Sequence, residues 1–152
     1  MSPFDAANRA RVYLTRGDSA LASVNLLTDT GLMSEAELNV HRHSVAMLAV
    51  RGAIAYSDAV LASFGENPAN DSHDEAPRRL RRQTGGRNAV GVRHFEYLLG
   101  KKNLYEYQPR RLDISEARNA ADRLRRFFAW IYTTCKSELP VNPAEEGEDG
   151  HS

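Results

Sequence analysis

Cysteine is almost missing from this 152-residue chain, with Cys135 the only one. A single thiol closes no disulfide within the chain and cannot build a cysteine-rich zinc site, so the composition fits a reducing compartment and a cytoplasmic location is expected. Net charge is missing too. Twenty Lys and Arg balance twenty Asp and Glu, which excludes the uniformly basic profile of a histone-like binder and confines any anion site to a local patch. There is no run of eighteen apolar residues, and Asp5, Arg9, Arg11, Arg16 and Asp18 interrupt the first twenty positions, so neither a membrane span nor a signal peptide is expected. Gly85-Gly86 lacks the preceding strand and following Lys-Ser/Thr of a phosphate loop, and no Gly-x-Ser-x-Gly occurs. Those gaps remove P-loop and serine-hydrolase chemistry. No repeat of solenoid period is found.

Helix signals, by contrast, recur along the whole chain. Ser2-Pro3-Phe4-Asp5 supplies an N-cap, a first-turn proline and an early carboxylate, predicting a helix from about Pro3 to Thr28 with Gly17 as a weak point and Gly31 as the stop. Ala7, Ala10, Leu14, Leu21 and Val24 form its buried stripe. Ser34-Glu35-Ala36-Glu37 has capping-box spacing and opens a second helix reaching about Phe64, with Gly65 as its C-cap. Its middle is apolar around most of its circumference, which makes it the central helix. Asp58, two turns from Arg51 in that setting, needs a partner, because a lone buried carboxylate is costly.

A third helix is predicted from near Ser72 or Asp74 to Gly85, and a fourth of roughly twelve residues ends at Gly100, with Val92, Phe95, Leu98 and Leu99 as its apolar side. KKNLYEYQPRRL then reads as irregular. Asp113-Ile114-Ser115-Glu116 offers a second capping box and opens the last helix, whose stripe runs through Ala117, Ala120, Ala121, Leu124, Phe127, Phe128, Ile131 and Cys135. Together these predict an all-α, antiparallel bundle of four to five helices in one domain, residues 1–139, followed by a disordered acidic tail, residues 140–152.

Two constellations carry chemistry. Arg78, Arg79, Arg81, Arg82, Arg93, Lys101, Lys102, Arg110 and Arg111 concentrate positive charge in one stretch, where Phe95, Tyr97, Tyr105 and Tyr107 offer rings for stacking on unpaired bases. Its alternative is a solvated face balanced by the acidic tail. Arg87-Asn88 followed by His94 is the second. On a helix, Arg87 and His94 share one face two turns apart, the spacing at which a neutral imidazole and a guanidinium can share a phosphodiester without a metal. His73 between Asp71 and Asp74 reads as a structural hydrogen-bonding group, with Asp58 as its expected partner, rather than as a metal ligand. No metal or cofactor is expected.

The alanine-rich helix ending in Ser57-Asp58, His73 with Ala76 and Leu80, the stretch from Leu98-Leu99 through Lys102 to Tyr107, and the regular last helix together resemble the HEPN superfamily, especially its small single-domain bacterial members. The resemblance spans about Ser44 to Ile131. It implies a helical bundle that dimerises, with roles in RNA cleavage, toxin–antitoxin pairs and defence, and with RNA, an antitoxin or another protein as partner. Active members use an arginine, a following polar residue and a histidine as a metal-independent endoribonuclease, which carries over to Arg87 as phosphate electrophile, Asn88 as orienting group and His94 as general base. Dimerisation would then bring two motifs to one cleft. Many active members place the motif just before the last helix, and here that place reads Lys102-Asn103-Leu104-Tyr105-Glu106-Tyr107. The alternative implied by the resemblance is a non-catalytic module that binds RNA or a partner protein.

Overall fold

Ser34 opens the central helix in the way its sequence requires. Its hydroxyl accepts from the Glu37 N–H at 3.1 Å, and the Glu37 carboxylate accepts from the Ser34 N–H at 3.1 Å, so two donors that would otherwise lack intrahelical partners are satisfied. These bonds hold the Glu37 carboxyl below the usual carboxylate range. The computed structural model describes residues 3–68, 73–85 and 90–140. Its elements are α1 (Pro3–Leu27), α2 (Glu35–Ser63), α3 (Ala76–Gln83), α4 (Val90–Tyr107) and α5 (Ile114–Thr134), with a 3-10 turn at Pro109–Arg111. The fold is an all-α bundle, and no strand occurs among the described residues.

Helix α2 is the axle. It is the one described helix long and apolar enough to cross a membrane, yet 83% of its apolar window is buried inside the bundle, which makes it a core helix. Helix α1 runs antiparallel to it, since Gly17 lies against Tyr56 and Ala20 against Gly52. A Cβ on Gly17 would sit 2.7 Å from the Tyr56 ring, so only glycine lets the two backbones come this close. The Tyr56 hydroxyl donates to Asp18 at 2.6 Å, one residue further along α1. Helices α5 and α4 cover a second flank of α2, and short α3 packs near its C-terminal end. Phe95 of α4 stacks on Phe127 of α5 with ring centroids 5.1 Å apart, and Trp130 continues the stack at 6.0 Å from Phe127. Such aromatic pairs contribute about 1 kcal/mol each beyond their burial.

Several boundaries differ from the sequence reading. Helix α3 begins at Ala76 and keeps Pro77 in its first turn, where the missing N–H costs nothing. Helix α4 runs through Gly100 and ends at Tyr107, so most of the segment read as irregular is helical. Two anchors hold that extension. Tyr105 is fully buried, and its carbonyl lies 2.8 Å from His43 Nε2 on α2. At α5 the Asp113 carboxylate accepts from the Glu116 N–H at 2.8 Å, but only this half of the predicted box forms, because the Glu116 carboxylate accepts from two tyrosines instead. Cys135 is buried at the end of α5, as its place on the apolar stripe requires. The acidic tail from residue 141 lies outside the described residues.

Candidate functional site

A polar seam runs along the groove between α4 and α5, beside the aromatic stack. On α4, His94, Tyr97 and Lys101 recur at steps of three and four, and Glu116, Asn119 and Arg123 do the same on α5, so each helix presents one polar stripe to the other. Gly91 sets the approach at the start of α4. A Cβ there would fall 1.9 Å from Cγ of Trp130, so the first turn lies directly on the indole and His94 comes to face α5.

The seam is continuous. Tyr105 and Tyr97 donate to Glu116 Oε1 at 2.6 and 2.8 Å, and Asn119 Nδ2 donates to the Tyr97 hydroxyl at 2.9 Å. Burial, reinforced by the Glu116 bond, pushes both phenols above their ordinary value, so both stay protonated donors. Arg123 lies over the Tyr97 ring with its guanidinium carbon 4.2 Å from the centroid, and Lys101 approaches the same ring at 5.5 Å. Arg123 Nη1 stands 3.3 Å from His94 Nδ1. No carboxylate among the described residues pairs with Arg123, whereas its neighbour Arg126 is held by Asp122 at 2.9 Å.

This contact determines the state of His94. A guanidinium has no acceptor, so His94 Nδ1 must receive the Arg123 proton and the ring proton sits on Nε2. Partial burial lowers the His94 pKa first, and the charges of Arg123 and Arg126 lower it further, against a smaller opposing effect of Asp122. The imidazole is therefore neutral near pH 7 and carries an N–H beside a guanidinium that has no carboxylate partner among the described residues. Its one basic nitrogen is occupied by Arg123, so in this arrangement the pair can donate to an anion and His94 cannot accept a proton.

The sequence-derived candidates separate on this frame. Arg87 and Asn88 lie outside the described residues. The arginines of α3 are largely neutralised: Arg78 pairs with Glu75, Arg81 with Glu96, and Arg79 and Arg82 share Glu66 at 3.0 and 3.3 Å. Phe95 and Tyr105 are fully buried, which corrects their assignment as stacking platforms: Phe95 is stacked on Phe127, and the last turns of α4, which carry Tyr105, are packed helix and not an exposed loop. Arg93, Tyr107, Arg110 and Arg111 are exposed, and Lys102 is half-buried. Asp58 and His73 form no hydrogen bond with each other. Burial lowers the His73 pKa, and Lys102 lowers it further against Asp74, while Asp58 lines the groove between α1 and α2.

Asn119 and Arg123 are not picked out by the sequence reading, which takes Glu116 only as a capping partner and follows the apolar stripe of α5. The i, i+3, i+7 spacing of these three residues is the available signal, since a second stripe at helical period marks a second contact. Compared with known proteins, the chain matches no family model, no curated protein and no solved structure.

Proposed function

We propose that this protein is a HEPN-like helical module that associates with RNA, and that the α4–α5 seam contacts its phosphodiester backbone. The observation that carries the reading is the Arg123–His94 pair. A half-buried guanidinium with no carboxylate partner among the described residues, beside a neutral imidazole, presents donors to a phosphate oxygen. Exposed Arg93 adds charge on α4, and half-buried Lys101 adds charge on the same helix. A reducing compartment, consistent with the single buried thiol, is the setting in which RNA would be met.

The resemblance also implies metal-independent cleavage, and the lowered pKa of His94 favours that second reading because it keeps the base unprotonated. Cleavage would require the phosphate to draw Arg123 off Nδ1, after which His94 takes the 2′-hydroxyl proton as that oxygen bonds to phosphorus, the bond to the 5′-oxygen breaks, and the departing 5′-oxygen takes a proton from the His94 imidazolium or water; Arg123 holds the phosphoryl charge, with Arg87 and Asn88 as the groups carried over from the family pattern. An antitoxin or other protein would be the partner in a toxin–antitoxin setting.

Labelled single-stranded RNA in excess EDTA tests both readings. Arg123→Gln should weaken binding roughly tenfold and flatten the salt dependence by about one unit of slope, as expected for one lost phosphate contact. Unchanged affinity would exclude the seam as the RNA site. Cleavage abolished in His94→Ala would establish the nuclease, while salt-sensitive binding without cleavage would leave the binding module.

A further inference from the structure

The zero net charge of the chain is unevenly spread. Residues 141–152 hold Glu145, Glu146, Glu148 and Asp149 but no Lys or Arg, so the residues before them carry four more cations than carboxylates. Part of that basic surface is already neutralised. Glu66, Glu75 and Glu96 hold the four arginines of α3, and Asp122 holds Arg126. The α4–α5 groove is different: neither Arg93 nor Arg123 has a carboxylate partner among the described residues, and neutral His94 stands against Arg123. A partner of opposite sign is what this groove lacks.

The chain leaves the bundle beside it. Beyond α5 the Glu138 and Leu139 N–H groups both donate to the Cys135 carbonyl, at 3.1 and 3.2 Å, and Leu139 packs on the core, so the backbone is held to the end of α5 as far as residue 139. Helix α4 starts at that same end. It runs antiparallel to α5, with Gly91 on Trp130, Phe95 on Phe127 and Tyr105 bonded to Glu116. Arg123 lies eleven residues before Thr134, about 16 Å along the axis, and Arg93 stands in the first turn of α4. Five to nine residues separate Pro140 from the four carboxylates, a reach of up to about 17–30 Å, which spans the distance to both arginines. Arg110 and Arg111 follow the far end of α4, about 27 Å from its start, at the limit of that reach.

We propose that Glu145, Glu146, Glu148 and Asp149 dock on Arg93 and Arg123 at the α4–α5 groove, so that the chain carries its own competitor for the anion site. The role of the contact as a regulator rests on the reading of this groove as an RNA site; the contact itself needs only the two arginines. It is electrostatic, so salt weakens it, and tethering offsets that weakness by holding the carboxylates at an effective concentration of about a millimolar. A ligand that presents one phosphate must displace the segment with a single contact. A long RNA replaces all four carboxylates with a run of phosphates, so the segment selects polymers over nucleotides and inorganic phosphate.

Cys135 is fully buried, so Ser152→Cys in the 152-residue chain offers one accessible thiol for a nitroxide label. At low salt the label should broaden the amide resonances of residues 90–97 and 119–126 more than those of α1. The broadening should fade in about 0.5 M salt, in the Arg93→Gln/Arg123→Gln chain, and in a chain carrying Glu145→Gln, Glu146→Gln, Glu148→Gln and Asp149→Asn. That last chain should also bind labelled single-stranded RNA roughly three- to tenfold more tightly than wild type at low salt, with the gap closing as salt rises. Broadening centred on α1, where Arg11 and Arg16 are exposed, or an RNA affinity indifferent to the four neutral substitutions, would overturn the proposal. Because the relaxation measurement contains no RNA, the two readings fail separately. Localised broadening in a chain that binds no RNA removes the RNA site and keeps the contact, whereas RNA binding that depends on Arg123 without localised broadening removes the contact and keeps the site.

Discussion

His94 shows how one neighbour selects among the chemistries open to a side chain. In isolation an imidazole is acid, base or ligand, and Arg123 at 3.3 Å leaves it a donor. The contact has a solution signature. Its pKa lies below the ordinary histidine value through partial burial and then through Arg123 and Arg126, so its ring should titrate at a lower pH than an exposed histidine. Arg123→Gln should move that titration upward toward the ordinary value, by a part of the shift because burial remains, and proton NMR of the ring resolves it. A titration indifferent to the substitution would mean that the pair does not form in solution. For stability the sign is set by the lowered folded value: the contribution is full above the unfolded pKa of about 6.5 and is lost as pH falls through the folded one. The histidine itself stood out in the sequence by its spacing from Arg87, but its structural partner did not. Arg123 is 29 positions away and meets it only because two helices cross, and no local pattern encodes that.

At the scale of elements, the helices declared themselves wherever their ends carry their own chemistry. Ser34 and Glu37 form the box their spacing demands, and Asp113 caps α5. The sequence misled where a local stop signal was outweighed by packing. Gly100 looks like the end of α4, yet the helix continues for another two turns because Tyr105 reaches the core and Glu116 accepts its hydroxyl. The same Glu116 fails to complete its capping box for that reason. Gly91 makes the reverse point, since nothing local marks it as indispensable. Gly91→Ala would drive a methyl into Trp130, and overpacking of this kind costs about 1–3 kcal/mol. The lone tryptophan sits in that seam, so denaturant unfolding followed by its fluorescence should show a lower midpoint and an altered native emission. A midpoint equal to wild type would mean that α4 does not lie on the indole.

Across the whole molecule, Asp58 couples stability to pH. Burial raises its pKa to about 6, against the opposing charges of Arg79 and Arg16, with Arg51 the other charged group of its own stripe. A folded value above the unfolded one, near 3.9, means that the native state holds the proton more tightly. In dilute protein, stability is therefore greatest near pH 4 with respect to this group and falls as pH rises through about 6, by roughly 2–3 kcal/mol. Asp58→Asn should remove that slope and make the dilute chain more stable than wild type at pH 8, as thermal unfolding at the two pH values would show. A destabilised variant would instead mark the carboxylate as an internal strut. What α1 places beside the groove that Asp58 lines is fixed elsewhere, at the contact of Gly17 with Tyr56. If α1 slid along α2 by one turn, Tyr13 or Leu21 would have to occupy a space that admits no side chain, so the two helices have a single permitted register. One hydrogen atom, the side chain of glycine, thereby decides which residues of α1 stand opposite Arg51 and Asp58, and a change at this position would rewrite the molecule's outer surface from its interior.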